Sequence, residues 1–454
     1  NVGERPRGRV AGVRVVKEEH MICRRIRRLA GAGAIAVTAC MVLAIGAQAK
    51  AKPKTLTVCK HGCRYSTIQG AVKASGKNAT ISVKPGKYVE TVIISGHKHD
   101  GLHIIGATRN PAKVLIEGKN AKGPGGAAQN GIEGDGVNNL VLENMKAEHF
   151  AANGFYVNHC TGYLMKNLVA GFEHSYGLFA FRCVGGRMTQ SIGYGNGDSG
   201  FYIGGTPFQK HPVWSTVDHD TGYENVLGYS GTNSKYVTIR NSSFYNNGAG
   251  VVPNTLVSEP DQPADTGIIE NNLIFWNNFD YYRPSSPVKT VSGGVGTQQA
   301  NYPIGAGVIL FGTTNWTVKD NSVFGNFLWG VAAFSDPTNS TGKALNTGNH
   351  IMNNKLGAAF KDANGFDFFN DGSGKGTCFQ NNGANVTEDV EGSAVASELY
   401  ATCPNSNGTG TTTGDSDQFG KLAAVVLANP PTKQESFWHV HTHPARPGVK
   451  PFEG

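Results

Sequence analysis

An all-β fold, a right-handed parallel β-helix with an N-terminal helical cap and an irregular C-terminal tail, is what this sequence predicts. Three stretches align without a gap at a spacing of 23 residues: 132–154, 155–177 and 178–200. A unit so short cannot bury its own apolar face and must stack on its neighbours. Apolar or small residues alternate at its start (Ile132/Gly134, Phe155/Val157, Leu178/Ala180, then Phe201/Ile203), and each block closes on Gly. A two-residue period marks strands rather than helices. Cys160 and Cys183 share one column of successive blocks. Stacked strands lie about 4.7–4.9 Å apart, within the Cα separation of roughly 4.4–6.8 Å that a disulfide tolerates. The pair is a bond across adjacent coils or a buried thiol stack. Parallel crossovers are strongly biased to the right hand.

Amides recur at the thirteenth column, at Asn144, Asn167 and Gln190, and again less regularly at Asn241, Asn271, Asn321 and Asn354. Side-chain carboxamides at one column can bond the coil above and the coil below.

Before the coils come several short segments. Asn1–His20 carry no organised pattern and are expected to lie outside the native protein, with translation starting at Met21. Residues 21–49 read as a secretion signal: basic Met21–Arg28, apolar Leu29–Gly46, then Ala47-Gln48-Ala49. A lipoprotein box at Val37–Cys40 fits less well, because apolar residues continue beyond it. Residues 1–49 hold nine Lys and Arg against three Asp and Glu, +6 of the formal +8, which leaves only +2 on the remainder. The basic balance therefore belongs to the export segment and gives no case for a nucleic-acid partner. No stable membrane span is expected once the signal is removed, and the localisation read here is extracellular.

Residues 50–79 read as a linker and cap. Ser66 or Thr67 can cap a short helix with Ile68, Ala71 and Val72 on one face, covering the open end of the first coil. The β-helix is assigned to residues 80–403. It opens with Ile81–Glu90 as strand, turn and strand, and then Leu102–Gly106 and Val114–Gly118. The segments "YSTIQGAV", "ISVKPGKYVE" and "LHIIGA" with "VLIEG" resemble the pectin-lyase-like superfamily, and the resemblance spans Leu56 to about Pro404. It implies a secreted right-handed β-helix acting on or binding a polysaccharide. The "QDT" and "DFIFG" elements of pectin methylesterases are missing, as are "NTD", "DD", "GHG" and "RIK" of polygalacturonases. "VWSTVDH" at Val213–His219 is similar to a pectate-lyase element but has longer spacing.

The coils are interrupted at Val251–Thr266 and Tyr281–Pro303, insertions rich in Pro, Ser and Gly. Such insertions wall binding clefts or are tolerated surface loops. Residues 404–454 form a flexible linker, a possible helix from Gln418 to Ala428, and a His-bearing tail.

Column alignment groups several polar side chains. His159 and Arg182 share one column, Glu173, His174 and Asp198 fall close together, and Asp218, His219 and Asp220 follow in the next coil. These eight are the candidate catalytic residues, with Tyr156 and Tyr202 as candidate substrate-binding aromatics. In a lyase, Arg182 or a His abstracts a proton while carboxylates hold Ca²⁺; in a hydrolase, two carboxylates share acid and base roles. The alternative is a solvated polar surface. On an extended strand His439, His441 and His443 fall on one side about 6.6 Å apart, a set that could chelate Cu²⁺ or Zn²⁺. The alternative there is a packed polar tail.

Three functions follow: a polysaccharide lyase or glycoside hydrolase, a non-catalytic glycan-binding β-helix, or a metal-handling accessory protein. For the last, the Asn-rich coils resemble NosD-type proteins of copper-enzyme maturation. Beyond the leader six cysteines remain and group as Cys59/Cys63, Cys160/Cys183 and Cys378/Cys403, which in an exported chain favours disulfides. Cys59–Cys63 alone could be half a zinc site. Alkylation under non-reducing denaturation, followed by intact-mass analysis, should find none of these six thiols free; six free thiols would contradict the whole set.

Overall fold

Left-handed backbone corners between three faces build the solenoid, as at Asn144, His149 and His159 in one coil and Asn167, Phe172 and Arg182 in the next. In the computed structural model, residues 54–427 are described, apart from 124–125, 128, 282–285, 287, 289–301, 361, 391 and 393. The secretion signal and His439, His441 and His443 lie outside the described residues. The strand Leu140–Glu148 bends at Asn144 (φ 60°), and Tyr163–Gly171 bends at Asn167 (φ 49°). Each therefore serves two faces. Face A stacks Leu140 on Tyr163 and then Leu164 on Arg187 and Thr216; face B stacks Val169 on Ile192 and Thr221. Face C stacks Phe155 on Leu178 and Phe201. Rung-to-rung pairing is parallel throughout these faces, and the result is a right-handed parallel β-helix.

The columns set the core. Phe155, Leu178, Phe201 and Tyr229 of face C point inward and meet Met165, Met188 and Val217 of face A, all within one buried apolar cluster. The first rung starts earlier than Thr80, because Thr55–Val58 pairs in register with Thr80–Val83. Four residues of alternation are too few to stand out in the sequence. The cap helix Ile68–Lys73 follows that strand, with the Gly70 N–H donating to Thr67 Oγ1 at 3.1 Å and Ile68, Ala71 and Val72 buried. Glu90 accepts from the N–H groups of Ile68 and Gln69 at the same helix start, at 2.9 and 3.0 Å. Cys160 and Cys183 are bonded across adjacent coils with Cα atoms 4.5 Å apart, and Cys59–Cys63 and Cys378–Cys403 are also bonded.

The amide ladder exists but sits one column later than the sequence alignment places it. Asn144, Asn167, Gln190, Asn241 and Asn271 occupy the left-handed corner between faces A and B. Only one rung of that outer column is bonded by its amides, from Asn167 Nδ2 to Asn144 Oδ1 at 2.7 Å. The residue after each corner points inward and makes the continuous ladder. The N–H groups of Ser242, Asn272, Asn321 and Asn354 donate to Oδ1 of Asn272, Asn321, Asn354 and Asn382 at 3.0–3.1 Å. Asn321 and Asn354 thus belong to the inner column. Asn-Asn dipeptides such as Asn271-Asn272 put an amide in both columns, and the sequence alone does not say which is inside.

A second ladder runs inside the turn from face B to face C: Asn196, Asn225, Asn247, Asn277, Asn326 and Asn364. It explains the Gly that closes each block. A Cβ at Gly177 would lie 2.7 Å from Gly200 O and 2.9 Å from Asn196 Nδ2. Asn247→Ala would leave the buried N–H of Asn225 unpaired, along with the Gly222 carbonyl that Asn247 Nδ2 now serves. Each orphaned group costs about 1–3 kcal/mol, so urea melts should show a loss of at least about 2 kcal/mol. An unchanged midpoint would contradict a structural role for the ladder.

Candidate active site

Face C is where the polar and aromatic groups gather. Its outward column runs Glu133, Tyr156, Phe179, Tyr202, Ser230 and Val252. Towards the C-terminal coils this outer surface is covered. Val252, Ile309 and Ala332 point outward yet are fully buried, packed with Tyr281, Ile304 and Leu422 in a second apolar cluster. Leu422 comes from the helix Ser416–Leu427, close to the span expected for it. The cover ends near Tyr202, leaving Tyr156 and Phe179 half-buried.

At that boundary four rings pack together. Tyr156 and Phe179 stack with centroids 4.6 Å apart, and Tyr176 lies 4.6 Å from both Phe179 and Tyr202. The Tyr202 hydroxyl donates to the Glu259 carboxylate, 2.5 Å from each oxygen. Glu259 comes from the 255–264 insertion, which Asn233 staples in place. Asn233 Nδ2 donates to the carbonyls of Leu256, Glu259 and Pro260 at 2.8–3.0 Å, and its Oδ1 accepts from Leu256 N–H at 3.2 Å. Lys235 adds a hydrogen bond to the Asp261 carbonyl.

Asp198 completes the group. Its residue is 8% exposed and its Oδ1 is buried without a hydrogen-bond partner. Burial pushes its carboxyl up to about 7; the Tyr176 hydroxyl pulls the other way and the Glu259 charge adds to the rise. Burial likewise lifts Glu259 to about 7, against the Tyr202 hydrogen bond. Burial and these carboxylates hold Tyr176 and Tyr202 far above the usual phenol range, so both remain hydroxyl donors. Two acids poised near neutrality, in electrical contact and lined by phenols, can supply one protonated and one ionised carboxyl together.

Of the candidate residues, Tyr156, Tyr202 and Asp198 meet here. His159 and Arg182 occupy the corner that follows face C (φ 48° and 53°); His159 Nδ1 lies 3.2 Å from Asp135 Oδ1, both side chains half exposed. The other five do not join them in one groove. Glu173 is fully buried inside the second ladder, where its Oε2 accepts from Phe150 N–H at 2.6 Å. His174 sits on the same turn, and its backbone N–H donates to Phe150 O at 3.1 Å. Asp220 is buried in the first ladder, accepting from the N–H groups of Ser191 and Asp218 at 2.7 and 3.1 Å. Asp218 and His219 lie at the end of face A. There Arg187, His219 Nδ1 at 2.8 Å and Arg240 Nε at 3.4 Å surround the Asp218 carboxylate. Burial works to raise its pKa, but the Asn241 hydrogen bond and the His219 and Arg187 charges outweigh it. The expectation of a single outward groove therefore needs correcting. The 23-residue alignment fixes a residue's column, but a left-handed corner decides whether it faces in or out.

Glu259, Tyr176, Phe179 and Tyr302 were missed. Glu259 and Tyr302 lie in the two insertions flagged as cleft walls, where no column exists to align them. Among the described residues no group of three or more His, Cys, Asp or Glu is placed to hold a metal ion, and no helix is long and apolar enough to cross a membrane.

No protein-family model matches the chain, and no curated protein matches it. Among solved structures, the A-module of a mannuronan C-5 epimerase from Azotobacter vinelandii is similar at 15% identity and a TM-score of 0.49, over 72% of this chain and 93% of that one. An alginate lyase from Paenibacillus sp. is similar at 14% identity and a TM-score of 0.40, over 72% and 98%. Pectate lyase Pel9A is similar at 13% identity and a TM-score of 0.33, over 76% and 83%. The fold of this chain is a parallel β-helix by its own strand pairing. No residue role is carried from these structures.

The raised carboxyl at Asp198 has a signed consequence for stability. A folded-state pKa of about 7 sits above the unfolded value of about 3.9, so the folded state binds the proton more tightly. Its contribution is complete below about pH 4 and is lost as pH rises through about 7. Asp198→Asn should therefore gain stability relative to the parent between pH 5 and 8, read as a difference of urea midpoints. A difference that shrinks or stays flat over that interval would refute the assignment.

Proposed function

We propose that this protein is an extracellular polysaccharide-acting enzyme of the glycoside hydrolase type, working in the cleft over face C. The observation that supports it is the pair Asp198 and Glu259, two carboxyls raised by burial to near neutrality, the Glu259 charge adding to the rise of Asp198, beside the stacked Tyr156 and Phe179. Glycoside hydrolysis needs a carboxylic acid to protonate the leaving oxygen and a carboxylate to activate water or attack the sugar. Tyr202 is held against Glu259 and orients that carboxylate, while the half-buried, mutually stacked Tyr156 and Phe179 offer apolar ring area to a sugar. The lyase expected from the sequence, in which Arg182 or a His abstracts a proton while carboxylates hold Ca²⁺, has less support. The Asp218 carboxylate is engaged by Arg187, Arg240 and His219, and both oxygens of Asp220 accept backbone N–H groups.

A second reading, non-catalytic glycan binding, is favoured by the stacked Tyr156–Phe179 pair alone. Variants separate the two. General acid–base groups contribute about 10²–10⁴ in rate, so Asp198→Asn and Glu259→Gln should each lower kcat by at least about 10²-fold on whichever polysaccharide a release assay identifies. Glycan affinity should change little, and the parent's pH–rate profile should be bell-shaped around neutrality. Undiminished turnover in both variants would overturn the acid–base assignment, and glycan binding without any product from the parent would favour the binding reading.

A further inference from the structure

The charges around the cleft point to a substrate class. On the outward side of face C stand Glu133 and Asp135, and Asp198 and Glu259 follow towards the covered coils. The groups acting on the hydroxyl of Tyr156 are Glu133, Asp135 and Glu259, and those acting on Tyr302 are Asp198, Asp336 and Glu259. Among the described residues no cation figures among the influences on Asp198 or Glu259. The described cations nearby are engaged or peripheral. His159 is paired with Asp135, Lys235 is buried against the carbonyls of Asp261 and Thr206, and Arg182 is exposed at the corner beside Gly205. Lys210 and His211 are exposed on the loop that leaves face C after Gly204.

Resting on the polysaccharide reading, we propose that the cleft takes an uncharged glycan and excludes polyuronates. A polyuronate carries one carboxylate per ring. Laid along the Tyr156–Phe179 floor, it would bring those charges against four acidic side chains, with no guanidinium or ammonium among the described residues of the floor to pair them. Like charges held together in a partly desolvated cleft repel strongly. A neutral chain meets no such penalty. The floor also suits it, since the half-buried Tyr156 and Phe179 rings stack at 4.6 Å and carry no charge.

The test uses polymer pairs that share a backbone and differ only in the carboxyl: glucan and its C6-oxidised form, mannan and mannuronan, methyl-esterified and free galacturonan. Wild-type protein is titrated with each in the cold, in EDTA, at a pH above both cleft carboxyls and at two salt concentrations. For the backbone that binds, the neutral member should bind at least tenfold tighter, and the gap should narrow in high salt. The double variant Glu133→Gln with Asp135→Asn should narrow it as well, without loss of affinity for the neutral member. Equal or tighter binding of the acidic member in EDTA would overturn this proposal while leaving the polysaccharide reading intact. Binding of no member of any pair would overturn both.

Discussion

Two of the turns between the three faces of this solenoid are made with the backbone buried, and at each of these an N–H is left pointing along the stack rather than into a strand ladder. The side-chain oxygen of the next coil fills that vacancy. In the turn between faces A and B the acceptors run Ser191, Asp220, Ser242, Asn272, Asn321, Asn354 and Asn382. In the turn before face C they run from Glu173 to Asn364. An amide suits the task because its Oδ1 can serve the N–H below while its Nδ2 serves a carbonyl or the next amide. Where the chain has Asp or Glu instead, no donor remains on the ionised group. Burial raises the carboxyls of Glu173 and Asp220 well above the usual range, against the backbone hydrogen bonds that they accept. The acids that looked most chemical in the sequence are thus ladder rungs.

The ladders constrain faces A and B and free face C. Additional chain enters where a turn borders face C, either after that face or just past a ladder rung such as Asn277. That is where the insertions between Asn254 and Asp265 and between Phe275 and Ala306 fall. One delivers Glu259 and the other Tyr302 and Ile304, and together with the helix Ser416–Leu427 they roof the later coils. The earlier coils stay open. A site at the lip of a roof combines an exposed aromatic floor with carboxyls buried enough to be raised, a combination that neither bare face A nor the fully roofed coils provide.

Legibility followed the period. Fold, disulfide column and inward core residues such as Phe155 and Phe201 could be read because they repeat at 23 residues, and a repeat of that length has one physical explanation. Tyr156, Tyr202 and Asp198 were reachable by the same route, two of them by outward parity on face C. Parity fails at corners. A single left-handed residue such as His219 or Asn241 resets which side the next residue faces, so Asp220 and Ser242 turn inward. The choice between inner and outer amide in Asn271-Asn272 failed for the same reason. Glu259 was out of reach because its contact with Tyr202 spans 57 residues through a loop with no register.

The two acids of the cleft are accordingly held by different means, which bears on how the site keeps its geometry. Asp198 lies two residues after Asn196, a ladder rung whose N–H and Nδ2 both bond Asn225 Oδ1, at 3.0 and 2.9 Å. Its own N–H is tied to Ser175 O at 2.9 Å, and its carbonyl accepts from Leu227 N–H at 2.9 Å. It inherits the rigidity of the stack, coil above and coil below. Glu259 has no strand on either side and depends on the Asn233 staple, on Lys235 and on the Tyr202 hydroxyl. Preorganisation of a site is set by its least constrained member. The separation between the two carboxyls is therefore governed by Asn233, whose left-handed backbone (φ 51°) directs one carboxamide at four backbone groups of the insertion. The solenoid fixes one half of the site by repetition, and a single asparagine outside both ladders fixes the other half.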